Sequence, residues 1–308
     1  MSTFIQPRTI AIVAPSGYAA DTAAFQRGLA RLRALGHTVK DLSAAGDKHQ
    51  RFAASDEARL AQLHAAASDP EVEIVIALRG GYGLSRLLPE IDFGLLAASG
   101  KRWVGHSDFT ALQMGLLQQG AASFAGPMIC DDFSRDEVSE FTHAHFWSCL
   151  NQPTLELQVA AAGAAAGNPT LQASGKLWGG NLAILAHLAG TRWMPEVDGG
   201  ILFIEDINEH PYRVERMLLQ LWHAGVLKKQ RAILLGDFSG YKLTDYDNGY
   251  DFAAMAHWLS ARIGLPILHG LPFGHIRDKL TLPVGADCVL RSDAAGLRLE
   301  LSAYPHLG

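Results

Sequence analysis

The chain has 308 residues, 48% hydrophobic and 19% charged, which is apolar enough to fill two ordinary cores and excludes a disordered chain. Its 26 Lys and Arg against 31 Asp and Glu give a net charge of −5, so composition offers no footprint for nucleic acid or an anionic membrane surface. Three cysteines without C-x-x-C spacing argue against a disulfide framework or a zinc ribbon, and no run approaches the ~18 apolar residues of a membrane span.

The opening "MSTFIQPRTIAIVAPSG" has no basic segment leading into a long apolar one. No secretory signal is expected, and a reducing, cytoplasmic compartment fits the cysteines. "TIAIVAP" is a continuous apolar run ended by Pro-Ser-Gly, the pattern of a buried parallel strand. Residues 20–35 carry apolar positions at helical spacing and stop at Gly36. "HTVKDL" reads as a short strand, and residues 56–67 as a helix with Ser55 as N-cap. "EIVIAL" is the next strand, broken off by "RGGYG"; a helical segment near residues 84–88 leads to "RWVGHS", and another helix begins after Ser107. This alternation predicts a parallel sheet flanked by helices, with sites beyond the carboxyl ends of its strands, where both "RGGYG" and "GHSD" lie.

The texture changes between residues 151 and 173, where "VAAAGAAAG" and its flanking prolines read as a linker or edge element. The expected organisation is therefore an N-terminal α/β domain over 1–150, a linker over 151–173, and a second domain over 174–308. That second domain holds a strong strand in "GILFIED", a helix over residues 211–224 with Pro211 in its first turn, a strand in "AILLGDFSG", and a helix over residues 252–263 ended by Gly264. Three further strands follow in "PILHGLPFGH", "LTLPVGADCVLRS" and "LRLELSA", making this half β-rich. The only basic cluster, residues 228–231, reads as a solvated helix end.

Ser107 has two readings on its own: the N-cap of the helix that follows, or a nucleophile at a strand-to-helix corner. Serine hydrolysis needs an activated hydroxyl, a base oriented by a third group, and donors for the oxyanion. The N–H of Asp108 stands at a helix start, where negative charge is favoured, and the Gly80–Gly81 turn allows a second backbone N–H, from Gly81, to approach closely. G-x-S-x-G is not satisfied, since Phe109 occupies the last glycine position. Among thirteen histidines, His275 stands apart, between "LPFG" and the polar "IRDKLT"; His269 sits inside an apolar run and is expected to pack. His143 and His145 form H-x-H, which suits metal ligation only if carboxylates join them. "ILFIED" puts Glu205 and Asp206 at a strand end, where at most one faces the site; both also read as turn or capping residues, and Glu209 pairs with Arg213 at i,i+4. Arg79 is a candidate for a terminal carboxylate, or an ordinary strand-end arginine.

Taken together, "GHSD" at 105–108, "LFIEDINE" at 202–209 and "LPFGHIRDKLTLPVG" at 271–285 resemble the motif set of the LD-carboxypeptidases, serine peptidases that include muramoyl-tetrapeptide carboxypeptidases and microcin-immunity peptidases. "LRGGYG" at 78–83 and "GGNL" at 179–182 fall where that family has glycine-rich segments. The resemblance implies a flavodoxin-like (amidotransferase-like) N-terminal domain and a swivelling β-rich C-terminal domain, with the site between them. It implies Ser107 as nucleophile, His275 as base and Glu205 as its orienting group, no metal or other cofactor, a homodimer, and a murein tetrapeptide losing its terminal D-Ala as substrate. Because the nucleophile and its partners come from different halves, the resemblance also implies that domain arrangement sets the geometry. Two rivals stand beside it. One is an amidase acting on microcin-like peptidyl-nucleotides or acyl-sulfamoyl adenylates, with Trp178 or Trp193 as platform for the base; the other is a non-catalytic two-domain binding protein.

Overall fold

The computed structural model describes residues 6–43 and 47–308. Five strands alternate with helices through the first half: β1 (Thr9–Val13), β2 (Thr38–Asp41), β3 (Ile74–Ala77), β4 (Arg102–Gly105) and β5 (Ser123–Ala125). They run parallel in the order β2-β1-β3-β4-β5. β1 and β3 are apolar almost without interruption and buried along their length, as strands covered on both faces must be. β2, at the edge, is only partly buried. Chain direction and strand order are those of a flavodoxin-like doubly wound sheet.

Among the described residues of this half the α-helices are α1 (Thr22–Ala34), α2 (Asp56–Ser68), α3 (Leu84–Leu87), α4 (Phe93–Ala98), α5 (Thr110–Gln118) and α6 (Glu140–Asn151). The boundaries follow local chemistry. Asp21 accepts the Ala24 N–H at the start of α1, Ser55 accepts the Ala58 N–H at the start of α2, and Ser139 accepts the Thr142 N–H at the start of α6.

The second sheet has the order β10-β9-β8-β7-β12-β13-β6. Its strands are β6 (Leu155–Ala160), β7 (Leu171–Asn181), β8 (Gly200–Glu205), β9 (Gln230–Leu235), β10 (Ile267–His269), β12 (Asp287–Asp293) and β13 (Gly296–Ser302). β7 to β10 are parallel, while β7, β12, β13 and β6 pair antiparallel. Three helices accompany it: α7 (Leu182–Leu188), α8 (Pro211–His223) and α9 (Phe252–Ile263), the last ended by Gly264 in the left-handed region. Residues 151–173 contain β6, an edge strand whose buried and exposed residues alternate at its start, so the stretch is partly an element of this sheet. The basic cluster is also more than a helix end. Gln230 opens β9 and is buried, and its side chain accepts the Trp178 indole N–H at 2.8 Å.

One strand from the C-terminal half crosses back. β11 (Leu282–Val284) pairs antiparallel with β5 and completes the first sheet as its sixth, outer strand. Leu282 and Val284 are buried there, and Pro283, which has no N–H to donate, is tolerated because the strand is an edge.

Candidate active site

β4 ends at Gly105, and the chain turns into a short 3-10 segment, Ser107–Phe109, that feeds α5. Ser107 sits in this corner with φ of +60°, a left-handed backbone that a non-glycine residue adopts only where the surroundings hold it. Its hydroxyl caps neither the 3-10 segment nor α5. Oγ lies 3.2 Å from His275 Nε2 and 3.2 Å from Asp108 Oδ2. Gly80, at the end of β3, makes room for the corner, because a Cβ there would lie 2.8 Å from Ser107 Cβ and 2.9 Å from its Oγ.

His275 occupies the loop between β10 and β11, and Glu205 is the last residue of β8. Nδ1 of the imidazole meets Glu205 Oε2 at 2.8 Å. A carboxylate can only accept, so this contact places the proton on Nδ1 and leaves the Nε2 lone pair facing the Ser107 hydroxyl. Gly274 adopts φ of +133°, and a Cβ there would lie 3.2 Å from Glu205 Cβ, so the glycine lets the loop approach β8 closely. Burial works to lower the His275 pKa, but the hydrogen bond and charge of Glu205, helped by Asp131 and opposed by Lys279, leave it raised above 6.5.

Glu205 is fully buried and is steadied from β7. Asn181, its register partner, donates from Nδ2 to Glu205 Oε1 at 3.2 Å and to Asp206 Oδ1 at 3.1 Å. Asp206 accepts the Ala183 and Ile207 N–H groups, so it serves the start of α7. The helix of Pro211 is capped instead by the His210 ring. Burial and the neighbouring Glu205 charge push the Asp206 carboxyl up to about 6. The Glu209–Arg213 pair forms at 3.8 Å, on the exposed flank of α8.

The other sequence candidates fall into place around this centre. Gly81 adjoins the corner, with its N–H donated to Asp108 Oδ2 at 2.8 Å; the donor expected for an oxyanion is therefore occupied by the side chain of Asp108. Arg79 is half-buried, with its Cδ and Nε beside Gly17. Trp178 has no accessible face and packs in the core of the second sheet with its indole N–H bound to Gln230, so it is not a platform for a ligand. Trp193 is partly buried, with the Arg192 guanidinium 4.7 Å over its ring. His269 in β10 and His143 on α6 are both half-buried, and no metal-holding group of three or more His, Cys, Asp or Glu occurs among the described residues.

Residues missed in the sequence are those whose surroundings are non-local. His106, adjacent to Ser107, is buried with Nδ1 3.0 Å from Gly126 O, and its ring stands edge-on to that of His275, 5.2 Å between centroids. Burial, then the nearby Lys279 and His275, hold its pKa well below the ordinary histidine value, so it is neutral. Lys279, in the polar stretch "IRDKLT", is buried and paired with buried Asp132 at 2.8 Å. A hydroxyl, an imidazole and a buried carboxylate in series form a set able to activate a serine for acyl transfer.

Comparison with known proteins agrees with this architecture. Residues 10–126 match the LD-carboxypeptidase N-terminal domain, and residues 174–290 match the LD-carboxypeptidase C-terminal domain. The chain is 31% identical over 285 residues to the probable murein peptide carboxypeptidase of Bacillus subtilis strain 168, covering 92% of this chain and 89% of that protein. It is similar to the crystal structure of muramoyltetrapeptide carboxypeptidase from Oxalobacter formigenes, with 53% identity, a TM-score of 0.91, and coverage of 96% of this chain and 99% of the other. The microcin C7 self immunity protein MccF, solved in complex with aspartyl sulfamoyl adenosine, shares the fold, with a TM-score of 0.86 at 23% identity and 97% coverage of each chain.

Proposed function

Because the chain belongs to the LD-carboxypeptidase family, we propose that it is a serine carboxypeptidase releasing terminal D-Ala from the L-centre of a murein tetrapeptide, in the cytoplasmic recycling of cell-wall peptides. The observation that carries this reading is the continuous series Ser107 Oγ, His275 Nε2, His275 Nδ1, Glu205 Oε2, with links of 3.2 and 2.8 Å. The 3.2 Å link is long for a transferring proton, as is common before substrate closes a site.

In the proposed reaction, Ser107 Oγ bonds to the scissile carbonyl carbon while His275 Nε2 takes the hydroxyl proton. Glu205 holds the ring in the required tautomer and stabilises the imidazolium. The negative charge on the carbonyl oxygen is met by the N–H groups of Asp108 and Gly81. The Asp108 carboxylate must first release the Gly81 N–H and move away from the developing charge. His275 then gives its proton to the departing D-Ala nitrogen as the C–N bond breaks, and water, deprotonated by the same imidazole, hydrolyses the acyl-enzyme. Arg79, on the rim of the crevice, pairs with the terminal carboxylate. Loss of one oxyanion donor raises the barrier by about 2.7–4 kcal/mol.

Synthetic tetrapeptides with L or D configuration at the third residue, incubated with the protein and followed by mass spectrometry, test this reading. The expected result is release of D-Ala from the L-configured peptide alone, abolished by Ser107→Ala. Wild-type turnover in Ser107→Ala would falsify the mechanism, and cleavage of an acyl-sulfamoyl adenosine with the tetrapeptide untouched would replace the substrate.

A further inference from the structure

The loop that carries His275 is tied at its base, where the Leu280 N–H bonds to Pro272 O at 2.8 Å. It runs from β10 in the second sheet to β11 in the first, and its contacts divide accordingly. Towards the second sheet it offers the imidazole to Glu205 and the Phe273 carbonyl, which accepts the Asp237 N–H at 2.8 Å. Its other side is fastened to the half of the molecule that carries Ser107. Thr142 of α6 donates from Oγ1 to Arg277 O and accepts the Lys279 N–H, each at 2.9 Å. Ser139 donates to Asp278 Oδ1 at 2.5 Å. Lys279 Nζ reaches Asp132 Oδ1 at 2.8 Å, and Asp132 Oδ2 accepts the Met128 N–H at 2.9 Å. Both ends of that ion pair are withdrawn from solvent, so the contact is not one of the exposed pairs that contribute little.

We infer that Thr142 and the buried Asp132–Lys279 pair are positioning residues that hold the His275 loop, and with it the imidazole, against the half of the molecule that carries Ser107. The inference rests on the proposed serine mechanism. None of these residues touches Ser107, Glu205 or the imidazole through a hydrogen bond; they act on the loop backbone four or fewer residues from His275. Geometry at this point governs rate more than binding, since displacing a catalytic group by about 1 Å costs on the order of 10²-fold.

The test compares Thr142→Val, Thr142→Ser and the double variant Lys279→Met with Asp132→Asn, in which the Asn carbonyl still accepts the Met128 N–H. Two rates are read: labelling of Ser107 by a fluorophosphonate, which needs no assumption about substrate, and hydrolysis of the L-configured tetrapeptide. Thr142→Val and the double variant should label and turn over on the order of 10²-fold more slowly, with KM within about twofold, while Thr142→Ser restores both rates. Asp278→Ala, which removes the acceptor of the Ser139 hydroxyl at an exposed residue, supplies a variant whose folding is not at risk and should slow labelling by a smaller factor. Folded Thr142→Val and double variants that label at the wild-type rate overturn the positioning role alone. A wild-type protein that resists labelling at Ser107 overturns the serine mechanism, and the inference with it.

Discussion

At Ser107 the backbone is held in a conformation that costs about 1–3 kcal/mol in a non-glycine residue, and its hydroxyl is shared between an imidazole and a carboxylate. His275 acts as a base only when neutral, so the sign of its shift fixes the acid limb of activity. Burial lowers its pKa, Glu205 and Asp131 raise it, Lys279 lowers it again, and the net displacement is upward from 6.5. A raised pKa means that protons persist on the ring to higher pH, so kcat/KM should climb only as pH passes above 6.5. Glu205→Gln removes the principal raising influence. Its limb should shift to lower pH, and kcat should fall roughly 10³–10⁴-fold, because an amide no longer fixes the tautomer. A pH–rate profile of the two proteins checks this, and an unshifted limb would detach Glu205 from the imidazole. Little of this was visible in residue order. The motif resemblance brought 107, 205 and 275 into one account, whereas spacing alone left Ser107 open between cap and nucleophile. His106 and Asn181 were not legible, because the neighbours that define them, Gly126 and Glu205, are 20 and 24 positions away.

Among the elements, the turn after β3 has the most direct bearing on chemistry. Gly80 faces Ser107 so closely that a methyl group would overlap both Cβ and Oγ. Gly80→Ala should therefore push the Ser107 corner out of place, costing about 1–3 kcal/mol of stability from overpacking and a larger fraction of the fluorophosphonate labelling rate. Thermal unfolding and labelling measured on the same sample separate the two, and a variant that labels normally would show the corner to be more pliant than its packing suggests. Element positions were legible wherever local chemistry is strong. Apolar runs such as "TIAIV" and "GILFIE" became buried strands, Gly36 and Gly264 follow helix ends, and Pro211 opens α8. The environments of single side chains within those elements were not. "KLWGG" says that Trp178 is in an apolar run but not that both ring faces are covered, and "IRDKL" gives no sign that Lys279 lies under Asp132.

On the scale of the molecule, alternation of strand and helix made the parallel sheet legible, and the observed order brings the carboxyl ends of β1, β3 and β4 side by side at one edge of the sheet. Pairing between distant segments left no such trace. "TLPVG" is too short to announce its partner, and it was read with the strand of residues 287–293, whereas β11 joins the first sheet. The stretch 151–173, a linker or edge element by composition, supplies β6 as the edge strand that pairs along most of β13; its Leu-Glu-Leu-Gln alternation marks a strand but not the partner it joins.

The excursion of β11 bears on how the chain can be divided. A polypeptide of residues 1–150 keeps β1 to β5 but loses the neighbour that covers β5, leaving a row of unsatisfied peptide groups along an open margin. Margins of that kind recruit one another across molecules. Such a fragment should self-associate during sedimentation, and a synthetic peptide spanning residues 280–286, supplied in trans, should disperse it; a monodisperse fragment without the peptide would mean that the margin is harmless.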